Sequence, residues 1–361
     1  MVAAERISPP PGAEIAPVQP GIIERKPLIR RIGRDYTQLL RRWVQALFLA
    51  LNIYIGIQFC FFVRYFESGG LTPRVSRPAG VEGWLPIAGL MNLKYFFLTG
   101  KIPSIHPAAM FLLISFLLIS VIFRKAFCGW LCPVGSLSEL VWKLGRKILK
   151  QNWVLPRWID VPLRSLKYLL LAFFGYAVAG MSASAISTFL NSPYGLVADV
   201  KMLDFFRYLG SIGVIALLTL LLLSFFYQNF WCRYLCPYGA LTGLTALFSP
   251  SRIRREPQKC IDCSKCAKAC PALLAVDKRL TVRSAECMAC MECVAVCPAE
   301  GALEMSLLMK RRLPAWSMAA GVAIIFLGVV AIAKWTGAWN GSIPDGIYRR
   351  YLPVINELSH P

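Results

Sequence analysis

Eight cysteines in two similar runs provide the thiolate ligands that iron–sulfur clusters require. The first run reads KCIDCSKCAKACP and the second reads CMACMECVAVCP, so each spaces its cysteines by 3, 3 and 4 residues and closes with a proline. In two-cluster proteins with this pattern, the fourth Cys of each run ligates the cluster of the other run. The sequence therefore predicts two [4Fe-4S] clusters, one on Cys260, Cys263, Cys266 and Cys297, and the other on Cys270, Cys287, Cys290 and Cys293.

Two other uses of these cysteines compete with iron. Structural zinc sites also contain Cys-x2-Cys pairs, but they combine such pairs two by two and leave the third Cys of each run unexplained. Disulfides need an oxidising compartment, whereas the charge distribution described below puts this segment in the reducing cytoplasm. Pro271 and Pro298 follow the last ligand of each run, and their fixed φ turns the chain away from the site. The pattern thus favours iron.

A second set of four cysteines occurs in two shorter repeats. Cys128 and Cys132 lie in CGWLCPVG, and Cys232 and Cys236 lie in CRYLCPYG, each directly after an apolar segment. Such self-similarity indicates an internal duplication. If each motif begins on a helical turn, positions i and i+4 share a face, and the two pairs can converge. Three interpretations are open: a third iron–sulfur cluster or metal site, a redox or copper-handling dithiol, and structural thiols.

The rest of the chain has the composition of a membrane protein. Of its 361 residues, 57% are hydrophobic and 16% are charged, a balance unlike that of soluble globular proteins. Five apolar segments are long enough to be transmembrane helices, at 43–63, 107–123, 166–181, 209–227 and 314–333. An apolar stretch interrupted by Pro86 and Gly89 predicts one extra re-entrant or interfacial helix. The lone Cys60 in the first span is interpreted as a small buried hydrophobe.

The predicted fold is an α-helical polytopic membrane protein with a small α+β insert of the bacterial 2[4Fe-4S] ferredoxin type. The boundaries of its domains follow changes in composition along the chain. A disordered to basic arm covers residues 1–42, the membrane domain with four spans covers 43–249, the ferredoxin domain covers 250–308, and a fifth span with a short tail covers 309–361.

The positive charge of the chain predicts its orientation in the membrane. The net charge is +21, but the basic residues lie beside apolar spans rather than among exposed aromatics, so no nucleic-acid partner is expected. With the amino terminus and the ferredoxin domain on one side, 30 of the 40 Lys and Arg residues fall on that side. The positive-inside rule then predicts a multi-pass protein of the bacterial inner (cytoplasmic) membrane, with both segments in the cytoplasm and the tail in the periplasm.

Histidine is rare in this chain. Only His106 and His360 are present, so a bis-histidine haem within the chain is not expected. His106 precedes Pro107 at the predicted start of the second span. Because histidine titrates near physiological pH, it is a candidate quinol contact or proton acceptor, with a helix-start residue at the interface as the alternative.

The motifs together resemble one family. The CGWLCPVG and CRYLCPYG motifs, followed by a two-cluster ferredoxin segment and preceded by RPAGVEGWLPI and IHPAAMFLL, are similar to the NapH/NosR group of membrane polyferredoxins, in particular its YccM-like branch. The resemblance covers residues 41–306. It implies an iron–sulfur electron-transfer protein that links a quinone pool or a cytoplasmic donor to a periplasmic or membrane redox subunit, within an oxidoreductase system rather than as a stand-alone enzyme.

Two further functions stay open at the level of sequence. The more distant CcoG type shares the Cys-x3-Cys-Pro and ferredoxin motifs and is associated with copper reduction, which would make this chain a metal-handling or assembly factor. A redox sensor that signals through the cytoplasmic insert is the other hypothesis. No carboxylate pair, nucleophile triad or phosphate loop stands out in the sequence, so no catalytic residue is predicted.

Overall fold

A computed structural model describes residues 29–31, 35–308 and 311–359. Much of the predicted arm over residues 1–42, and His360 in the tail, lie outside these described residues. The described chain is mostly helical. Its α-helices are α1 (Thr37–Glu67), α2 (Pro86–Thr99), α3 (Pro107–Phe123), α4 (Pro133–Leu149), α5 (Arg157–Gly180), α6 (Ala183–Leu190), α7 (Pro193–Leu196), α8 (Ala198–Arg207), α9 (Ser211–Phe226), α10 (Pro237–Thr245), α11 (Lys265–Ala269), α12 (Glu292–Ala295), α13 (Ala315–Trp335) and α14 (Asp345–Tyr351).

Three helices in the described part of the chain are long and apolar enough to cross a membrane, namely α1, α5 and α13. The α8–α9 pair passes the same test as one segment, but it bends by 78° between the two helices, and counting it gives up to four spans. The second predicted span coincides with α3, a shorter apolar helix of 17 residues. The chain is therefore a helical membrane protein with about three candidate spans, and the five-span topology stays a prediction.

The interpretation of Cys60 as a buried residue is wrong, because its side chain is exposed on α1. The neighbouring Phe59 is 1% exposed, so the two residues lie on different faces of one helix, about 100° apart. Hydropathy does not separate these faces, since the side of a spanning helix that meets lipid is as apolar as the side that packs on protein.

The ferredoxin segment contains a small antiparallel sheet. Strand β1 (Ser251–Arg255) pairs with β2 (Leu303–Leu307), which pairs with β3 (Arg311–Arg312). In this register Arg254 faces Glu304, an opposite-charge pair of the kind that stabilises adjacent strands. The two cysteine runs lie between β1 and β2 together with the short helices α11 and α12, so the sheet closes the ends of the segment that carries the ligands.

One hydrophobic core joins the ferredoxin segment to the helices. Phe116 of α3 and Phe127 stack with ring centroids 3.9 Å apart, and the same cluster contains Ile253, Val282 and Met305 of the ferredoxin segment. Burial of apolar surface is the main favourable term in such packing. The ferredoxin segment is therefore packed on the end of α3 and not tethered to it by a loop.

Candidate functional site

Each predicted set of four ferredoxin cysteines lines a cavity of its own. A cavity of about 20 Å³ is lined by Cys260, Cys263, Cys266 and Cys297. A second cavity of about 20 Å³ is lined by Cys270, Cys287, Cys290 and Cys293. In both cases three cysteines of one run meet the fourth cysteine of the other. We call these the cluster-1 cavity and the cluster-2 cavity.

The ligand loops of the two runs have the same backbone conformation. Asp262 and Ser264 flank the second Cys of the first run and have φ of 53° and 54°, and Ala289 and Met291 flank the second Cys of the second run with φ of 50° and 56°. Non-glycine residues seldom adopt positive φ, and they keep it only where the surroundings impose it. The repeated sequence spacing is therefore matched by a repeated, strained loop geometry.

The two cavities differ in burial. All four cysteines of the cluster-2 cavity are buried, whereas Cys263 of the cluster-1 cavity is exposed and its three partners are partly exposed. Burial raises the pKa of Cys270 to about 11, although backbone donors at Leu274 and Ala272 oppose the shift. Metal ligands must be thiolates, so four buried thiols around one cavity, with backbone N–H groups directed at a sulfur, fit a cationic iron–sulfur core.

The second cysteine set also converges on one cavity. A cavity of about 40 Å³ is lined by Cys128, Cys132, Cys232 and Cys236; we call it the boundary cavity, because it lies past the ends of α3 and α9. The first cysteine of each motif lies in a turn, Phe127–Leu131 or Trp231–Leu235, that is π-helical rather than α-helical, and the second cysteine directly follows that turn. π-Bulges of this kind occur frequently at functional sites.

The two motifs repeat the same hydrogen bonds around this cavity. The Cys132 sulfur accepts a hydrogen bond from the Gly135 N–H at 3.4 Å, and the Cys236 sulfur accepts one from the Gly239 N–H at 3.2 Å. Each sulfur therefore caps the helix that follows it, α4 or α10. Such donors stabilise a thiolate, which is the form that binds metal.

Charged side chains also line the boundary cavity. Lys125 is 3% exposed, and its Nζ lies 3.7 Å from Glu286 Oε2 of the ferredoxin segment. Lys167 of α5 pairs with the same carboxylate at 2.5 Å. Buried ion pairs of this kind are retained where they are fully partnered, and this one places cationic charge beside the four sulfurs.

The boundary cavity and the cluster-2 cavity are neighbours. Pro271, Ala272 and Met288 line both of them. Gly129, inside the first Cys-x3-Cys motif, packs directly on the Met288 backbone, and the Trp130 indole N–H donates to the Ala289 carbonyl at 3.0 Å. In the described part of the chain, no group of three or more His, Cys, Asp or Glu side chains is spaced to hold a single metal ion.

A buried ion pair fixes the first helix to this assembly. The Arg41 guanidinium, fully buried, donates to Glu139 Oε2 at 2.7 Å and to the Gly129 carbonyl at 3.1 Å, and it lies 3.8 Å from Glu292 Oε2. Burial alone would raise the pKa of Glu139, but Arg41 and Lys143 lower it to about 2. Gln38 adds a hydrogen bond to the Cys290 carbonyl at 2.9 Å.

His106 lies at the other end of α3 from the cysteines, in a buried ionic cluster. Its Nε2 is 2.9 Å from the Gly195 carbonyl and its Nδ1 is 3.4 Å from Glu82 Oε1. Arg77 bridges Glu82 at 2.8 Å and Asp199 at 2.7 Å. His106 is 1% exposed, so both of its ring nitrogens face protein groups. The quinol-contact interpretation stays a prediction.

Sequence reasoning missed three features of this site. They are the contact residue Met288, the Glu286 carboxylate shared by Lys125 and Lys167, and the Arg41–Glu139 ion pair. Met288 sits between two ligands and carries no signal of its own. The charged residues do have a signal in the sequence. Lys125, Arg41 and Lys167 lie inside or beside apolar segments, where an unpaired charge is energetically unfavourable and a partner is therefore expected. Their partners lie 98 to 161 residues away in the chain (139 − 41 and 286 − 125) and are brought to them only by the fold.

Comparison with protein families assigns iron–sulfur domains to these same segments. A family model described as a 4Fe-4S binding domain matches residues 105–151 and again 209–256, so it covers both Cys-x3-Cys motifs. A model described as a 4Fe-4S dicluster domain matches residues 253–305, which contain both ferredoxin runs. The chain therefore contains 4Fe-4S binding domains. No solved structure matches it.

Three relatives show where the chain belongs. It is 50% identical to YccM of Escherichia coli (strain K12), whose name describes electron transport, over 89% of this chain and 91% of that protein. It is 32% identical to the regulatory protein NosR of Stutzerimonas stutzeri over 41% of this chain and 20% of that protein. It is 29% identical to the ferredoxin-type protein NapH of Haemophilus influenzae over 42% of this chain and 49% of that protein. Because the match to YccM spans nearly both chains, this protein belongs to the family of NapH/NosR-type polyferredoxins and is an iron–sulfur electron transport protein.

Proposed function

We propose that this protein carries electrons along three iron–sulfur clusters, from the cytoplasm to the boundary of the inner membrane. Two [4Fe-4S] clusters would be held in the cluster-1 and cluster-2 cavities and a third in the boundary cavity. The relay would connect a quinone pool or a cytoplasmic donor with a periplasmic or membrane reductase partner. The chain would act as an electron-transfer subunit of that system.

The observation that carries this proposal is the contact between the boundary cavity and the cluster-2 cavity. They share Pro271, Ala272 and Met288 as lining residues. Each cluster, when bound, supplies one-electron redox chemistry at a potential tuned by charge, hydrogen bonds and exposure. The chain's own contribution is to hold the cysteine sets next to one another and to bury the ligands of the cluster-2 cavity.

The size of the boundary cavity supports a third cluster. Its volume of about 40 Å³ exceeds the 20 Å³ of each ferredoxin cavity, so it has room for a group of the same size. It offers the same number of sulfurs, and a 4Fe-4S family model covers both motifs that supply them. Lys125 adds a cation, which offsets the negative charge that four thiolates bring to any metal core.

The order of burial supports a relay whose three sites are arranged from the solvent towards the bilayer. Cys263 of the cluster-1 cavity is exposed, Cys270 and its partners are buried, and the boundary cavity lies where α3 and α9 end. The excess of Lys and Arg on this side of the chain favours a cytoplasmic location for all three sites. A quinone would reach such a site from the surrounding lipid, since quinones are apolar molecules.

Iron analysis of the anaerobically purified protein tests the proposal. We expect about twelve irons and twelve acid-labile sulfides per chain, from three four-iron clusters. A variant with Cys128, Cys132, Cys232 and Cys236 all changed to Ser should contain about eight of each. Electron paramagnetic resonance (EPR) of the reduced samples should show the loss of one spectral component.

A Cys60→Ser variant is the matched control, because Cys60 is a cysteine of the same chain with an exposed side chain on α1. Its iron content should equal that of the parent. About eight irons in the parent and also in the quadruple variant would remove the third cluster from the proposal. Rapid labelling of the four cysteines by thiol reagents would then favour the copper-handling dithiol.

A further inference from the structure

The surface around the cluster-1 cavity is strongly basic. Its exposed cations lie close to Cys263 in the sequence or on the turn that hydrogen-bonds to its loop, and Cys263 is the one exposed ligand of the ferredoxin runs. Two of them lie one turn apart on α11 and two lie at the turn that follows Val276. We define the cluster-1 face by Lys259, Lys265, Lys268, Lys278 and Arg279, all of which are exposed.

The segments that make this face are held together as one surface. Helix α11 begins directly after Ser264, whose hydroxyl donates to Asp277 Oδ2 at 2.8 Å. This bond links the ligand loop to the turn that carries Lys278 and Arg279. The positions of the cations are therefore fixed relative to Cys263 by the same loop that supplies the cysteines.

The positive charge of this face is not offset by salt bridges among the described residues. None of its five cations forms an ion pair with a carboxylate anywhere in the described residues. Of the nearby acidic groups that the structure describes, Asp262 pairs with Arg255 at 3.0 Å, and Asp277 accepts a hydrogen bond from the Ser264 hydroxyl, so five cations of the face stand against one carboxylate without an ion pair. An uncompensated positive surface attracts negatively charged partners and raises their rate of encounter.

The described contacts between the ferredoxin segment and the helices do not involve this face. The ferredoxin segment is anchored to the helices through its second ligand loop, where the Ser284, Ala289 and Cys290 carbonyls accept hydrogen bonds from Arg124, Trp130 and Gln38. Among the described residues, no hydrogen bond or ion pair joins the five cations to a helix of the membrane domain. The described helices thus do not hold these cations in place.

We propose that the cluster-1 face is the docking site for an acidic, soluble one-electron carrier protein. This inference rests on the proposed function and names the chemistry of its cytoplasmic partner. The carrier would lose one electron, and the [4Fe-4S] cluster that Cys260, Cys263, Cys266 and Cys297 would hold would gain it, with no proton or atom exchanged. The exposed Cys263 gives the carrier a short approach, and the lysines orient it there.

Reduction of the full-length holoprotein in nanodiscs by a photoreduced flavodoxin, an acidic flavoprotein, tests this docking. The rate of cluster bleaching should fall about tenfold as the salt concentration rises from about 0.05 M to 0.3 M, because salt screens surface charge. The Lys265→Glu/Lys268→Glu variant should react at least about tenfold more slowly at low salt. The matched control is Lys147→Glu/Lys150→Glu, which makes the same charge change at exposed positions on and just after α4 and should react within twofold of the parent.

Methyl viologen radical, a small reductant that needs no docking, separates this inference from the proposed function. It should reduce both variants at least as fast as the parent, because this radical is a cation and the added carboxylates attract it. If methyl viologen reduces the parent but flavodoxin does so without any effect of salt or of the lysine changes, the docking site is refuted and the relay stands. If methyl viologen reduces no cluster, the relay itself fails.

The bilayer is the competing partner for a basic surface. The flavodoxin experiment is therefore repeated in nanodiscs of phosphatidylcholine alone and of phosphatidylcholine with phosphatidylglycerol. The lysine effect should be the same in both lipids. A lysine effect confined to the anionic nanodiscs would assign these residues to the membrane surface and overturn the docking site.

Discussion

Gly129 and Met288 pack so closely that no side chain fits between them. A Cβ atom on Gly129 would lie 2.5 Å from the Met288 carbonyl oxygen. Gly129 belongs to the first Cys-x3-Cys motif, and Met288 lies in the second ferredoxin ligand loop. The two cysteine systems therefore touch through backbone atoms, and the contact requires glycine.

Gly129→Ala should push the ligand loop away from the motif. Overpacking against backbone costs about 1–3 kcal/mol, so we expect a lower melting temperature and slower electron transfer between the cluster-2 and boundary sites. Thermal bleaching of the cluster absorbance and single-turnover reduction kinetics measure the two effects. Gly175→Ala on α5 is the control, since no atom lies within 4 Å of its Cβ position, and it should match the parent. Equal stability of both variants would contradict the close packing.

The crossing of the fourth ligands predicts an unusual result for double variants. Cys263→Ser and Cys297→Ser should each remove the same cluster, so each single variant and their double variant should lose about four irons. Cys263→Ser combined with Cys293→Ser should lose about eight, since those residues line different cavities. Iron and sulfide analysis gives the answer. A loss of eight irons in Cys263→Ser/Cys297→Ser would mean that each run binds its own cluster.

Glu139→Gln should destabilise the protein by leaving the Arg41 cation buried without its carboxylate. Removing one partner of a buried pair costs about 3–5 kcal/mol, and chemical unfolding in detergent, followed by circular dichroism, measures it. Arg41→Gln/Glu139→Gln should recover part of the loss. A Glu139→Gln variant as stable as the parent would show that the pair contributes little.

The same carboxylate predicts the acid dependence of stability. The pKa of Glu139 is lowered to about 2 in the folded protein, below its ordinary value of 4.5, so its contribution is complete above about pH 4.5. It is lost as the pH falls from about 4.5 towards 2. The free energy of unfolding of the parent should therefore fall more steeply over this range than that of Glu139→Gln. If the free energies of unfolding of the two proteins fell in parallel over this range, Glu139 would not be a cause of the acid dependence.

His106→Gln tests whether this residue contacts a quinol or holds the protein together. Because both ring nitrogens face protein groups, we expect a melting temperature lowered by a loss of about 1–3 kcal/mol, and an unchanged rate of reduction by a soluble quinol per folded molecule. The opposite pattern, a slower reaction at unchanged melting temperature, would assign His106 to the quinol.

The cysteines were the most informative part of the sequence, because cluster chemistry fixes their spacing independently of the fold. The crossed grouping of Cys270 with the second run is the one known for two-cluster ferredoxins with this spacing, and the cavities have the same grouping. The spacing of Cys128 and Cys132 was less informative. A gap of four suits an α-helical turn, yet the chain forms a π-turn there, and no local residue type distinguishes the two.

The ionic contacts were beyond sequence reasoning for a different reason. In the sequence Arg41 indicates only topology, since a basic residue beside a span usually marks the cytoplasmic side. Its role in joining α1, α4 and the second ligand loop depends on Glu139 and Glu292 reaching the same point. Cys60 was misplaced because hydropathy does not tell the lipid-facing side of α1 from its packed side.

The crossing of ligands between the two cysteine runs has a consequence for biosynthesis. A chain grows from its amino terminus, and its boundary set is complete once Cys236 has been made. Both ferredoxin sets follow later in the chain. One is completed only by Cys293 and the other only by Cys297. The delivery machinery therefore meets a nascent chain whose membrane-side ligands are ready first, and both ferredoxin sites become ready almost together, within the last four residues of the second run.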